Sequence, residues 1–194
     1  DMAKYAKKTA EKIILNNYRP DYIIAIARGG VVPARLLCDH LYIKSFLSIK
    51  VDHWGVTATA DGKAKLSQGL DLSLEGKKVL LVDDITDTGQ SIELARDHIL
   101  KLKPKEVKTA TLFHLNHSNY EPDFYSINRD WAWVIFPWNY WEDLVNLSKQ
   151  ILDEYPDSNA EDLKLSFEKY FKIDVPVVHL NETLQKIKYL DQVQ

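Results

Sequence analysis

Along the first seventeen residues the apolar positions Ala6, Ala10, Ile13 and Ile14 recur at i, i+4, i+7 and i+8 among charged neighbours. That spacing predicts an amphipathic helix over 3–17. After Arg19-Pro20 the pattern changes to Tyr22-Ile23-Ile24-Ala25-Ile26-Ala27, a short apolar run rich in β-branched residues, as in a strand covered on both faces. Gly29-Gly30 end it, residues 31–41 predict a helix that tolerates Pro33 in its first turn, and 44–51 predict a second strand. From Gly55 to Gly69 the periodicity dissolves into small and polar residues, which reads as a mobile loop, and long loops in compact domains are mostly functional. Order returns with a buried strand at 78–82, the segment 83–89, a helix over 91–101, a strand over 107–112 and a further short apolar run, 133–136, as a fifth strand. Strands alternating with helices predict an α/β fold, a doubly wound, mostly parallel sheet. Past Pro156, the segments 159–171 and 181–190 read as two amphipathic helices with Asn159 and Asn181 as caps, so the expected division is a main domain over 1–155 and a helical C-terminal extension over 156–194.

Length and composition narrow the picture. A chain of 194 residues buries roughly 70% of its unfolded surface and needs no disulfide or metal to fold, in line with its single cysteine, Cys38. The formal charge of −3, without a dense Lys/Arg run, argues against a protein that binds nucleic acid by neutralising phosphates. No apolar run approaches the ~20 residues of a bilayer span. A cytoplasmic protein with small-molecule ligands is the expectation.

The strongest chemical signal is VLLVDDITDTGQS, residues 79–91. In an open α/β sheet, ligands bind beyond the carboxyl ends of the strands, where this segment puts Asp83 and Asp84. Asp87-Thr88-Gly89-Gln90-Ser91 then forms a small-residue turn opening a helix, where backbone N–H groups, the positive helix end and the Thr88 and Ser91 hydroxyls converge on an anion. Carboxylates beside a phosphate cup suit a ligand with hydroxyl groups or one that brings its own Mg²⁺. A phosphorylated sugar meets both conditions. No G-x-x-x-x-G-K-[ST] and no G-x-G-x-x-G occurs, which removes the main support for nucleoside triphosphatase and dinucleotide readings. His53, His114 and His117 lack the spacing of a zinc site.

Residues 79–91 resemble the phosphoribosyl pyrophosphate (PRPP) motif of the type I phosphoribosyltransferases. Ala27-Arg28-Gly29-Gly30 resembles the family's pyrophosphate loop, 55–69 is placed like its catalytic flap, and Trp133-Val134-Ile135-Phe136-Pro137-Trp138 resembles the base-binding hood of the microbial xanthine-guanine branch, a hood expected near 113–145. The resemblance spans roughly 20–145. It implies that Asp83 and Asp84 contact the ribose hydroxyls, that Asp87, Thr88, Gly89, Gln90 and Ser91 hold the 5-phosphate, and that Arg28, Gly29, Gly30 and Lys50 face pyrophosphate, with Lys63 or Lys65 as further candidates. Asp87 matches the carboxylate near N7 of the purine and is the candidate acid/base group, with a local helix cap as its alternative role. Trp133 would stack on the base and the Val134 backbone would meet its edge. Mg²⁺ is the implied cofactor, carried by PRPP near Asp83 and Asp84 rather than ligated by the protein alone; the implied oligomer is a homodimer.

One position departs from the family. The 6-oxopurine enzymes carry a Lys just after the strand ending near Leu112, and here Leu115 or His114 stands in its place. Adenine presents an amino donor where 6-oxopurines present a carbonyl, and a site matched to one pattern rejects the other by ~10⁴- to 10⁵-fold. The expectation is therefore an adenine phosphoribosyltransferase, producing AMP in purine salvage. Two alternatives stand beside it: a hypoxanthine/guanine enzyme in which His114 or His117 donates to O6, and a non-catalytic PRPP-binding regulator.

Overall fold

The computed structural model describes residues 2–53 and 64–193. Two compact units meet between Trp131 and Ala132. The first carries α1 (Met2–Leu15), β1 (Tyr22–Ala27), α2 (Val31–Leu41), β2 (Phe46–His53), β3 (Ala64–Gln68), β4 (Lys78–Val82), β5 (Ile85–Thr86), α3 (Gln90–Lys101), β6 (Glu106–Leu115) and β7 (Phe124–Arg129). The sheet runs β3-β2-β1-β4-β6, with β5 and β7 also paired to β6. Every pairing is parallel except β2 with β3. The mixed, mostly parallel α/β fold is as the alternating pattern predicts.

Two-residue periodicity decides which helix each strand residue meets. Ile23, Ala25, Leu80 and Val82 join Ala10 and Ile13 of α1 and Ala34, Leu37 and Cys38 of α2 in one core. Their neighbours Ile24, Ile26, Val79 and Leu81 join Ile92, Ala95 and Ile99 of α3 in the other. Successive side chains point to opposite faces, so a continuously apolar strand is a strand with helices on both sides.

Several details differ from the sequence reading. Residues 64–68, expected in the flap, form β3 antiparallel to β2, because Ala64 and Leu66 alternate inward onto the α3-side core. The rest of the expected flap, with Lys63, lies outside the described residues. The run 133–136 is irregular and adds no strand; the fifth parallel partner is β7, whose Phe124 packs into the α1/α2 core. From β6 to β7 the chain returns through only 116–123, a crossover without a helix, with Tyr120 packed against the α3-side core.

The second unit is helical: α4 (Tyr140–Glu154), α5 (Ala160–Ser166), a π-helical turn (Phe167–Phe171) and α6 (Val177–Gln192). Leu144, Leu147 and Ile151 of α4 share a core with Leu163, Phe167, Val175 and Leu180. That packing puts α4 with the C-terminal helices, so the units divide earlier than the expected boundary at 155/156. Asn159 caps α5 with a reciprocal bond from Asp162, as its type suggests. Asn181 lies inside α6, which begins after Pro176 and so has no Asn cap.

Candidate active site

The candidate residues of the first unit gather at the carboxyl ends of parallel strands. β4 pairs with β6 from Lys78↔Glu106 to Val82↔Ala110, and β5 resumes at Ile85↔Phe113. The offset is 106 − 78 = 28 before the break and 113 − 85 = 28 after it, so Asp83 and Asp84 interrupt the strand without changing its register. The interruption stays anchored: the Asp83 N–H donates to the Ala110 carbonyl at 3.1 Å, and the Asp84 carbonyl accepts from Leu112 at 3.0 Å and Phe113 at 3.1 Å. Asp84 is buried and Asp83 half-buried, and the Asp84 N–H donates to Oδ1 of Asp83 at 2.9 Å. Burial, and then the Asp84 charge, hold the Asp83 carboxyl well above the usual carboxylate range.

The loop after β1 is built to fit against this pair. A Cβ on Gly29 would fall on the Asp84 carboxylate, 2.8 Å from its Cγ, and one on Gly30 would lie 2.7 Å from the Ile26 carbonyl oxygen and 2.9 Å from the Asp83 Cα. Only glycine allows two strand-end loops to approach so closely. The Ala27–Arg28 peptide in this loop is cis, and Arg28 is exposed. Lys50 lies opposite Ala27 in the β1–β2 register and reaches Asp52 at 3.0 Å. The Ser67 hydroxyl and Lys50 hold the Asp52 carboxyl below its ordinary range. Lys65 is placed opposite Asp52 in β3. The sequence-predicted pyrophosphate residues and the Asp pair thus share one sheet edge.

Beyond β5, the exposed Asp87 and the half-buried Thr88 lead to Gly89, whose φ of +90° begins α3 at Gln90. The first turn of α3 places Gln90 and Ser91 at the start of the helix, where N–H groups have no partner within the helix, and the Gln90 N–H donates to Oγ1 of Thr88 at 3.4 Å. The 116–123 crossover closes over this turn: the Asn119 N–H donates to the Thr88 carbonyl at 3.2 Å, and a Cβ on Gly89 would meet the Tyr120 Cβ at 2.5 Å. At the same place the His117 Nε2 reaches Oδ1 of Asp87 at 2.7 Å.

Of the remaining candidates, His114 and Leu115 end β6, where His114 pairs with Thr86. His114 is buried, its ring tilted on Tyr125 at 5.1 Å, and its Nδ1 has no hydrogen-bond partner among the described residues. Burial pushes its proton affinity down; Glu121 opposes that and His117 adds to it. Leu115 is buried in β6. Trp133 and Val134 belong to the second unit, where the Trp133 ring packs on Phe171 at 5.9 Å and its Nε1 is buried without a partner among the described residues. The link of His117 to Asp87 joins residues 30 apart (117 − 87), which no local pattern in the sequence connects; the 116–123 crossover brings them together.

The pair of carboxylates also bears on Mg²⁺. Two oxygen donors at a site that disfavours their joint ionisation suit a hard cation, with its other ligands left to a bound substrate.

This arrangement, a buried and a half-buried carboxylate between a glycine loop and the start of a helix, fits transfer chemistry on a phosphorylated sugar. Residues 1–143 match the family described as phosphoribosyl transferase domain. The chain is 30% identical over 176 residues to a hypoxanthine-guanine phosphoribosyltransferase of Schizosaccharomyces pombe, covering 71% of this chain and 85% of that protein. It is 43% identical over 115 residues to a protein of the same description from Aquifex aeolicus, covering 56% of this chain and 63% of that one, less than two thirds of its length. Among solved structures it is similar to a purine phosphoribosyltransferase from Pyrococcus horikoshii, with 33% identity and a TM-score of 0.61 over 71% of this chain and 88% of that one. The chain belongs to the phosphoribosyltransferase family. Within it, the likeness is to the purine enzymes of the microbial xanthine-guanine branch.

Proposed function

We propose that the protein transfers the 5-phosphoribosyl group of PRPP to a 6-oxopurine, hypoxanthine or guanine, and releases pyrophosphate. The observation that supports PRPP chemistry is the fit of Gly29 and Gly30 against Asp83 and Asp84, beside the start of α3. The descriptions of the relatives weigh towards hypoxanthine and guanine rather than adenine. One observation still favours the adenine expectation, the buried apolar side chain of Leu115 where the family's Lys is expected.

In this reading Asp83 and Asp84 accept from the ribose hydroxyls, Asp87, Thr88, Gly89, Gln90 and Ser91 hold the 5-phosphate, and Arg28, Gly29, Gly30 and Lys50 hold the pyrophosphate. Asp87 takes the N7 proton of the base as N9 bonds to the anomeric carbon and the bond to pyrophosphate breaks. Leu115 and His114 of the first unit are proposed to line the base. Mg²⁺ held near Asp83 and Asp84 would neutralise charge developing on the leaving pyrophosphate. On the family resemblance the active form is a cytoplasmic homodimer; no helix among the described residues is long and apolar enough to cross a membrane.

The test is initial rate with PRPP and Mg²⁺ against hypoxanthine, guanine, xanthine and adenine. Preference for hypoxanthine or guanine supports the proposal, preference for adenine restores the Leu115 argument, and PRPP binding without turnover of any base makes the protein a regulator.

A further inference from the structure

Resting on the reading of Asp87 as the group that faces the base, we propose that His117 is its positioning residue: the His117 Nε2–H holds Oδ1 of Asp87 so that Oδ2 is the oxygen offered to purine N7. The 2.7 Å contact is short, as for a hydrogen bond in which one partner is charged. Both side chains are about half exposed, 44% for His117 and 52% for Asp87, so the contact fills no core and adds little to folding stability. An exposed aspartate without such a partner would sample several rotamers, and a misplaced carboxylate loses much of the benefit of orientation.

The surrounding chain is arranged to hold the two residues together. His117 sits on the 116–123 crossover, which is fastened to the Asp87 turn by the bond from the Asn119 N–H to the Thr88 carbonyl. Ser118 and Tyr120, on either side of that bond, close over Gly89, where any side chain would collide with them. The Ser118 Oγ in turn accepts from the Tyr120 N–H at 3.2 Å, which fixes the crossover one residue beyond His117. The other histidine near this strand end, His114, is buried against Tyr125.

The proton accounting is simple. The N7–H proton passes to Oδ2 and its bonding electrons stay in the purine ring. N9 donates a pair to the anomeric carbon as the carbon–oxygen pair leaves with pyrophosphate. His117 keeps its own proton throughout; donating it to Oδ1 turns Oδ2 towards the base beforehand.

The experiment compares His117→Ala, His117→Gln, Asp87→Asn and the double variant Asp87→Asn/His117→Ala, measuring kcat and KM for hypoxanthine and for PRPP together with thermal midpoints. Expected for His117→Ala is a fall in kcat on the order of 10- to 100-fold with an unchanged KM for PRPP and an unchanged midpoint. His117→Gln, which keeps an N–H donor, recovers most of the loss, and in the Asp87→Asn background His117→Ala costs nothing further. Wild-type kinetics for His117→Ala beside an impaired Asp87→Asn overturns the role of His117 alone, as does a full additional loss in the double variant. Wild-type activity of Asp87→Asn overturns the reading of Asp87 on which the role rests.

Discussion

Within one segment of the chain, carboxylates are handled in two ways. Asp83 and Asp84 interrupt a strand inside the sheet, one half-buried and the other 5% exposed, and burial together with their mutual charge raises the proton affinity of Asp83. Asp87, just past the two-residue strand β5, stands in solvent and is fixed by a single side chain, His117. The first site stores an electrostatic cost that a ligand bearing hydroxyl groups or a cation relieves; the second depends on orientation. On the proposed reading, binding and chemistry fall to carboxylates in different environments.

The largest effect expected from breaking this contrast is at the exposed site. Asp87→Ala should lower kcat by about 10²- to 10⁴-fold while the protein still folds, read from steady-state rates and a thermal melt. At the buried site, Gly29→Ala drives a methyl group into the Asp84 carboxylate. It should abolish PRPP binding by calorimetry and cost about 1–3 kcal/mol of stability in denaturant unfolding.

A sharper comparison comes from pH. Because the Asp83 carboxyl titrates well above its usual 3.8 in the folded chain, the folded state binds more protons than the unfolded state between those two values. Its contribution therefore favours folding on the acid side and is lost as pH rises from near 4 through its folded-state titration. Asp83→Asn should flatten that part of the thermal midpoint profile. The smallest effect lies far from both sites: Asn159→Ala removes the reciprocal cap of α5 and should cost about 1 kcal/mol in the helical unit with kcat unaltered.

What the sequence made legible follows from how local the signals are. Tyr22–Ala27, Val31–Leu41 and Lys78–Val82 were readable because apolar runs and periodicity are properties of adjacent residues, and the motif 79–91 is a single contiguous segment. β3 was hidden because its apolar alternation is only Ala64 and Leu66 among polar neighbours. Helix α4 was obscured by the tryptophans before it, although Leu144, Leu147 and Ile151 carry its spacing. β7 shows little alternation, since Phe124 alone is buried and Asn128 and Arg129 lie in the open. The Asp87–His117 contact and the Gly29–Asp84 approach depend on crossovers, which no local pattern encodes.

The crossover between β6 and β7 has a consequence for how such a protein diversifies. With eight residues, 116–123, the chain must travel from beside Leu115 back to the level of Ala110, where Phe124 pairs. At ~3.3 Å per residue the return runs about 17 Å, against a reach of about 30 Å for the nine steps from Leu115 to Phe124. Extended length does not limit the loop; it is pinned by the Asn119–Thr88 and His117–Asp87 contacts, and an insertion between them and the strands would disturb both together. Exchange of one residue for another at fixed loop length leaves the support of Asp87 in reach, whereas an insertion within 116–123 calls for a new support from another part of the chain.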